Sequence, residues 1–307
     1  IAASYKLQVV HPPGAPFFQM IGRFFSLFAF GDTSQVALMV NIMSALCSSF
    51  TILFLFWTIT HFARKIAARE DKELNTGNVY AIIGSGVVGA LAFTFTDSFW
   101  FSAVEGEVYA MSSVFTAVVF WAILKWEREE DKYSNRWLLL IAYLIGLSIG
   151  VHLLNLLAIP AIAYVYYFKK YKPTRNGFII TGIISVFVLA LIMNGIIPWI
   201  VKLSSLFELT FVNTFGLPFN SGTIFYFVLF IGLIVWGLKY TRKRGKVALN
   251  TIILALTFIL IGYSSFFMII IRSNANPPID ENSPEDAISL LAYLAREQYG
   301  DWPVLHG

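Results

Sequence analysis

Six long apolar runs, each bounded by polar or basic residues, constrain this chain more than any other feature: Val36–Phe62, Val79–Phe95, Val108–Trp126, Phe178–Ile200, Thr223–Leu238 and Val247–Ile271. Roughly 20 apolar residues in helical form cross a hydrocarbon layer. In that layer every backbone N–H and C=O must be paired within the protein, which leaves helices as the economical solution for runs of this length. Composition agrees. Hydrophobic residues make up 57% of the 307 and charged residues only 13%, where a soluble domain carries roughly 25% charged. The mean hydropathy is +0.70. The expectation is an all-α polytopic membrane protein.

The basic residues set its direction. Arg64, Lys65, Arg69 and Lys72 share one inter-run loop, and Lys125, Arg128, Lys132 and Arg136 a second. Lys169, Lys170, Lys172 and Arg175 occupy a third; Lys239, Arg242, Lys243, Arg244 and Lys246 a fourth. Only Lys6, Arg23, Lys202, Arg272 and Arg296 lie elsewhere, so the four basic loops are assigned to the cytoplasm. The net charge of +4 therefore reflects membrane orientation, not nucleic-acid binding. The stretch Trp137–Phe168 has basic flanks on both sides and is interrupted by Gly146, Gly150 and His152. It reads as two short crossings with a turn at Gly150–His152, which brings the total to about eight spans. Three segments result: residues 1–35, an outer loop with an interfacial helix over Ala15–Phe30; residues 36–271, the transmembrane bundle; and residues 272–307, an outer connector and amphipathic helix. A span is expected before Ile1 and a further domain after residue 307. Ser283 to Asp286 suggest the start of the tail helix, with Ala287, Ile288, Leu290, Leu291 and Leu294 as its apolar stripe and Gly300 as its end.

On these assignments the residues with chemical capacity gather on the outer face. His11 sits in Val10-His11-Pro12-Pro13-Gly14-Ala15-Pro16, where prolines restrict the backbone at the membrane surface. Glu105 and Glu107 stand at the start of a span; acids at such depth are paired or functional, or simply complement a helix N-terminus. His152 and Asn155, one turn apart at the break, either line a pocket or satisfy the backbone there. Between Ser204 and Gly222 lie Glu208, Asn213 and four phenylalanines at four-residue spacing, a pattern that suits a packed helix face. Arg272, at the outer end of the last span, either snorkels to headgroups or pairs with a phosphate. Cys47 is the single cysteine, so no intrachain disulfide forms. No phosphate-cradling Gly-rich loop, Ser-His-Asp set or zinc spacing is present, and the spans lack the chains of acids expected of a proton-coupled pump.

The His11–Pro16 element, Glu107-Val108-Tyr109, Gly146 to His152, and Arg272-Ser273-Asn274-Ala275-Asn276-Pro277-Pro278 together resemble the bacterial branch of the transmembrane protein 260 family. That family is similar to protein O-mannosyltransferases and other membrane glycosyltransferases of the GT-C class. The resemblance implies a GT-C-like helix bundle in a bacterial inner membrane. It also implies transfer of a hexose from a polyprenyl-phosphate carrier to a protein Ser or Thr or another envelope acceptor on the periplasmic face; in the animal relatives the sugar is mannose and the acceptor Ser or Thr. By that match His11 and Arg272 meet the carrier phosphate. Glu107, with Glu105 in reserve, serves the catalytic pocket, which His152 and Asn155 line, while the principal acid would precede Ile1. No metal ligands are implied. The competing expectation is a non-catalytic membrane scaffold or subunit of an envelope complex.

Overall fold

The computed structural model describes residues 1–68, 74–129 and 131–300; Arg69 and Lys72 of the first basic loop lie outside them. The chain forms helices α1 (Ala2–Lys6), α2 (Pro16–Ser26), α3 (Val36–Ala67), α4 (Thr76–Thr94), α5 (Asp97–Val104), α6 (Val108–Arg128) and α7 (Asp131–Ile149). There follow α8 (Ala158–Lys170), α9 (Arg175–Ala190), α10 (Ile197–Leu209), α11 (Ser221–Lys243), α12 (Val247–Tyr263), α13 (Phe267–Ser273) and α14 (Ala287–Ala295). Among the described residues the β-type pairing is a single parallel bridge between Val9 and Asp280.

Six helical stretches are long and apolar enough to cross a membrane: Thr33–Ala67, Thr76–Thr94, Val108–Arg128, Arg175–Thr214, Ser221–Lys243 and Val247–Ser273. The expected broken pair is also formed. Helix α7 ends at Ile149 and α8 begins at Ala158, with a short 3-10 turn over Leu153–Leu157 between them. Gly146, read above as part of that break, instead lies inside α7. A Cβ there would collide with the carbonyl of Ile259 on α12, and one at Gly262 would collide with the backbone of α7. The two glycines thus let the backbones of α7 and α12 approach closely, the usual route to tight helix pairing in lipid.

Helix α6 is the central element. Its Met111, Phe115, Val119, Ile123 and Trp126 are all buried, the first two against α2 and α3, the last three in the core shared with α7, α8 and α12. Peripheral helices look outward instead: Val88, Ile183, Phe187 and Val228 are 65–69% exposed, as suits side chains solvated by lipid tails. At the basic end, the Lys169 ammonium donates to the carbonyls of Trp126 and Glu129 and lies over the Trp126 ring. Lys65 pairs with Glu127, and Arg136 with Glu129.

Local capping fixes where the outer elements begin. Asp32 accepts from the Ser34 amide and hydroxyl, which hold its carboxyl below the ordinary value, and so starts the turn into α3. The tail helix α14 begins later than Ser283. Its cap is Asp286, whose carboxylate accepts from the amides of Ile288 and Ser289, while the Ser289 hydroxyl accepts from the Asp286 amide. It also ends earlier, at a left-handed Arg296, and its buried stripe is Ala287, Leu290 and Tyr293. Between α4 and α6, α5 occupies most of the segment Thr96–Glu107.

The region Ser204–Gly222 is likewise largely helical. From Arg175 the chain runs through a π-type turn at Leu191–Ile196 into α10, and stays helical to Thr214. Phe207 and Phe211 pack on Phe225 of α11, as their spacing suggested. Glu208 explains the tight turn that follows. It is fully buried, and its two oxygens accept from the amides of Asn220 and Thr223 at 2.5 and 2.8 Å, taking over the unpaired donors at the start of α11.

Candidate functional site

The outer segment Val9–Pro16 is held from three directions. Its backbone pairs with the connector: the Val9 amide donates to Ile279 and the Glu281 amide to Val9, both at 3.0 Å. From α14, the Tyr293 hydroxyl donates to the Val10 carbonyl and the Arg296 guanidinium to the Pro12 carbonyl. From α2, the Gln19 amide donates to the Gly14 carbonyl at 2.7 Å. Gly14 is required here, having φ of 81° and no room for a Cβ, which would lie 2.6 Å from the Tyr293 oxygen. Burial, and then the negative charge of Glu281, push the Tyr293 phenol above its usual range, so it remains a donor. The result is a turn whose Val9, Val10, His11, Pro12 and Gly14 carbonyls are occupied, and within which His11 is exposed. Tyr293, Arg296 and Gln19 were not among the residues singled out from the sequence.

The same segment is coupled to the break between α7 and α8. The amides of Phe17 and Phe18, at the first turn of α2, both donate to the Gly150 carbonyl, at 2.8 and 3.3 Å. Two residues on, His152 Nδ1 accepts from the Leu154 amide at 3.1 Å. Because Nδ1 is an acceptor, the neutral ring carries its proton on Nε2 and presents a donor, not a base. The ring of Tyr109, one residue past the first of α6, lies 5.6 Å from that of His152. Glu107 is the N-cap of α6; it is exposed, with Oε2 3.4 Å from the Val108 amide. Glu105 is half-buried, and its carbonyl accepts from the Glu107 amide.

These contacts join the α2 N-terminus, which follows the His11 turn, to the α7–α8 break, and His152 of that break to Tyr109, two residues after Glu107. Two other candidates are placed differently. Asn155 is fully buried, its amide donating to the Ser148 hydroxyl, which ties the break together behind the exposed surface. The Arg272 guanidinium donates from Nε to the Leu7 carbonyl at 2.8 Å and from Nη2 to the Lys6 carbonyl at 3.1 Å. It thereby closes the C-terminal end of α1. Two of its five N–H donors are engaged in this way. No group of three His, Cys, Asp or Glu that could hold a metal ion occurs among the described residues.

Beyond α14 lies a groove of about 640 Å³, lined almost wholly by apolar side chains of α10, α11, α12, α13 and α14. Its lining runs from Asn220 and Asp286, the caps of α11 and α14, to Ile234 and Thr257 within α11 and α12. Leu290 of α14 faces it, while Tyr293 of the same stripe holds the His11 turn.

The helices define a polytopic α-helical membrane protein, and these contacts lie at the end of the bundle opposite the basic loops. Residues 1–175 match the family described as the protein O-mannosyl-transferase TMEM260 N-terminal domain, and the chain belongs to that family. It is similar to the protein O-mannosyl-transferase tmem260 of Dictyostelium discoideum, 27% identical over 161 residues, which cover 50% of this chain and 18% of that protein. It is also similar to the protein O-mannosyl-transferase TMEM260 of Mus musculus, 25% identical over 128 residues, covering 41% and 15%. The chain thus spans less than a fifth of the curated relatives it matches. No solved structure matches it. His11, Glu105, Glu107, His152 and Asn155 lie inside the family region, and Arg272 outside it.

Proposed function

We propose that this chain is part of a membrane glycosyltransferase of GT-C type that transfers a hexose, mannose by analogy with its relatives' names, from a polyprenyl-phosphate carrier to a protein hydroxyl. The active face is the one opposite the basic loops, the periplasmic face in a bacterial inner membrane. The observation that carries this reading is the continuity from the exposed His11 to the exposed Glu107 through Gly150 and His152, all within the family region. In the reaction the acceptor oxygen bonds to sugar C1, the bond from C1 to the phosphate oxygen breaks, the proton passes to a base, and the carrier phosphate leaves. Glu107 is the base candidate on this chain, with Glu105 beside it and a further acid expected upstream. His152 offers an Nε2 donor to a sugar or acceptor hydroxyl. His11 and the unused donors of Arg272 suit the departing phosphate. The apolar groove behind α14 suits the isoprenoid chain.

The test is transfer of hexose from a polyprenyl-phosphate hexose to an acceptor protein by the purified full-length protein. Positioned acid–base groups contribute roughly 10²–10⁴-fold, so Glu107→Gln should lower turnover at least a hundredfold, and His11→Ala should weaken use of the carrier. Wild-type transfer by both variants would remove the assignment. The scaffold reading draws on one observation, that Arg272 and His152 are partly committed to backbone contacts. It predicts no transfer with any polyprenyl-phosphate hexose and stable capture of an envelope partner.

A further inference from the structure

At the opposite, basic end of the bundle a second cavity of about 420 Å³ opens between α3, α4 and α6. Its size falls in the range of small-molecule sites. It is lined by His61 and Arg64 of α3 and by Lys125 and Arg128 of α6, with Trp57 and Trp121 as its aromatic wall. Among the described residues, no acid lines it. The adjacent carboxylate of Glu127 is engaged by Lys65 at 2.6 Å and lies 3.8 Å from His61 Nε2. Lys125 sits over the Trp121 ring, with its ammonium 5.2 Å from the centroid, and Trp57 packs against Trp121 at 5.8 Å. Arg64 and Arg128 are exposed, and neither makes an ion pair with a described residue.

The cavity lies at the shared end of three apolar helices, α3, α4 and α6, where paired tryptophans suit the headgroup level of a bilayer. Three permanent cations converge there without a balancing acid among the described residues of the wall. This combination recognises a compact anion that reaches the protein from the membrane itself. We propose that the cavity binds the phosphate of an anionic phospholipid headgroup in the leaflet facing the basic loops. The two arginines grip the phosphate oxygens, Lys125 adds charge, and the acyl chains lie in the bilayer beside Trp57. This site is separate from the proposed transfer site, which lies at the other end of α3 and α6.

The experiment is native mass spectrometry of the purified full-length protein titrated with dioctanoyl phosphatidylglycerol, dioctanoyl phosphatidylcholine or inorganic phosphate. The site predicts saturable binding of phosphatidylglycerol, with much weaker binding of phosphatidylcholine and no competition by millimolar inorganic phosphate. Each interfacial cation contributes about a factor of five to anionic lipid binding, so Arg64→Gln with Arg128→Gln should weaken it on the order of 30-fold. Both side chains are exposed, so the fold should survive, as an unchanged unfolding midpoint would show. A control pair of equal charge change outside the cavity, Arg242→Gln with Lys243→Gln, should keep wild-type affinity. Equal affinity in the cavity variant, equal loss in the control pair, equal binding of phosphatidylcholine, or competition by inorganic phosphate would each overturn the assignment.

Discussion

Replacing Tyr293 with phenylalanine tests whether the tail helix holds the His11 turn. The substitution removes only the hydroxyl that donates to the Val10 carbonyl, from a side chain that is fully buried. A neutral hydrogen bond contributes about 1 kcal/mol net, and a carbonyl left without a donor adds a desolvation cost of about 1–3 kcal/mol. About 2 kcal/mol is therefore a reasonable loss for the closed turn, with Gly14 against the ring and Arg296 on Pro12 left in place. The Gly14 amide, bonded to the His11 carbonyl at 3.0 Å, reports on opening by hydrogen exchange. At tenfold per 1.4 kcal/mol, its exchange should accelerate about 30-fold, while amides in the α7 and α12 core keep their protection. The pH dependence follows from the sign of the phenol shift. A raised pKa in the folded state gives a contribution fully present below the unfolded value of 10.0 and lost as pH rises through the higher folded value. Between pH 6 and 9, exchange corrected for its intrinsic pH dependence should therefore not depend on this group. Exchange at Gly14 within twofold of wild type would refute the reasoning, as would acceleration spread equally through the bundle.

Three further substitutions probe other joints. Glu208→Gln keeps one acceptor but turns an amide group toward a backbone N–H, so it should cost about 1.5–3 kcal/mol, read as a lower thermal midpoint and faster exchange confined to the start of α11. Gly146→Ala or Gly262→Ala should each destabilise by about 1–3 kcal/mol through overpacking of α7 on α12, and an unchanged midpoint would show that the two backbones are not in close contact. Arg272→Ala should cost about 2 kcal/mol by freeing the Lys6 and Leu7 carbonyls, and Arg272→Lys should restore less than half, because an ammonium cannot reproduce the guanidinium fork. Full rescue of the thermal midpoint by lysine would rule out the forked contact.

The spans and the α7–α8 break were legible because their cause is local: hydrocarbon demands a long apolar helix, and basic residues on both flanks of Trp137–Phe168 demand a return. The phenylalanine face was legible for the same reason, since Phe207 and Phe211 meet Phe225 of α11. The role of Glu208 was not, because a buried carboxylate capping the next helix leaves no periodic signal. The tail helix shows a different error. Ser283 and Pro284 look like a start, but the reciprocal cap of Asp286 with Ser289 is geometrically complete. With the start moved to Asp286, the buried face becomes Ala287, Leu290 and Tyr293, and the stripe of leucines is no longer the whole pattern. The candidate site was visible as a set of residues and invisible as an assembly. Its joints are single hydrogen bonds between partners as far apart in sequence as Lys6 and Arg272, Val10 and Tyr293, or Phe17 and Gly150. Composition and spacing carry no trace of such pairings. They matter because exposure of His11 alone would leave it free to sample many positions, whereas a turn held at Val10, Pro12 and Gly14 restricts where its imidazole can lie. On that physical ground Tyr293 and Arg296, which hold the Val10 and Pro12 carbonyls, should influence the proposed transfer as positioning residues, read as lower turnover by Tyr293→Phe in the hexose-transfer assay.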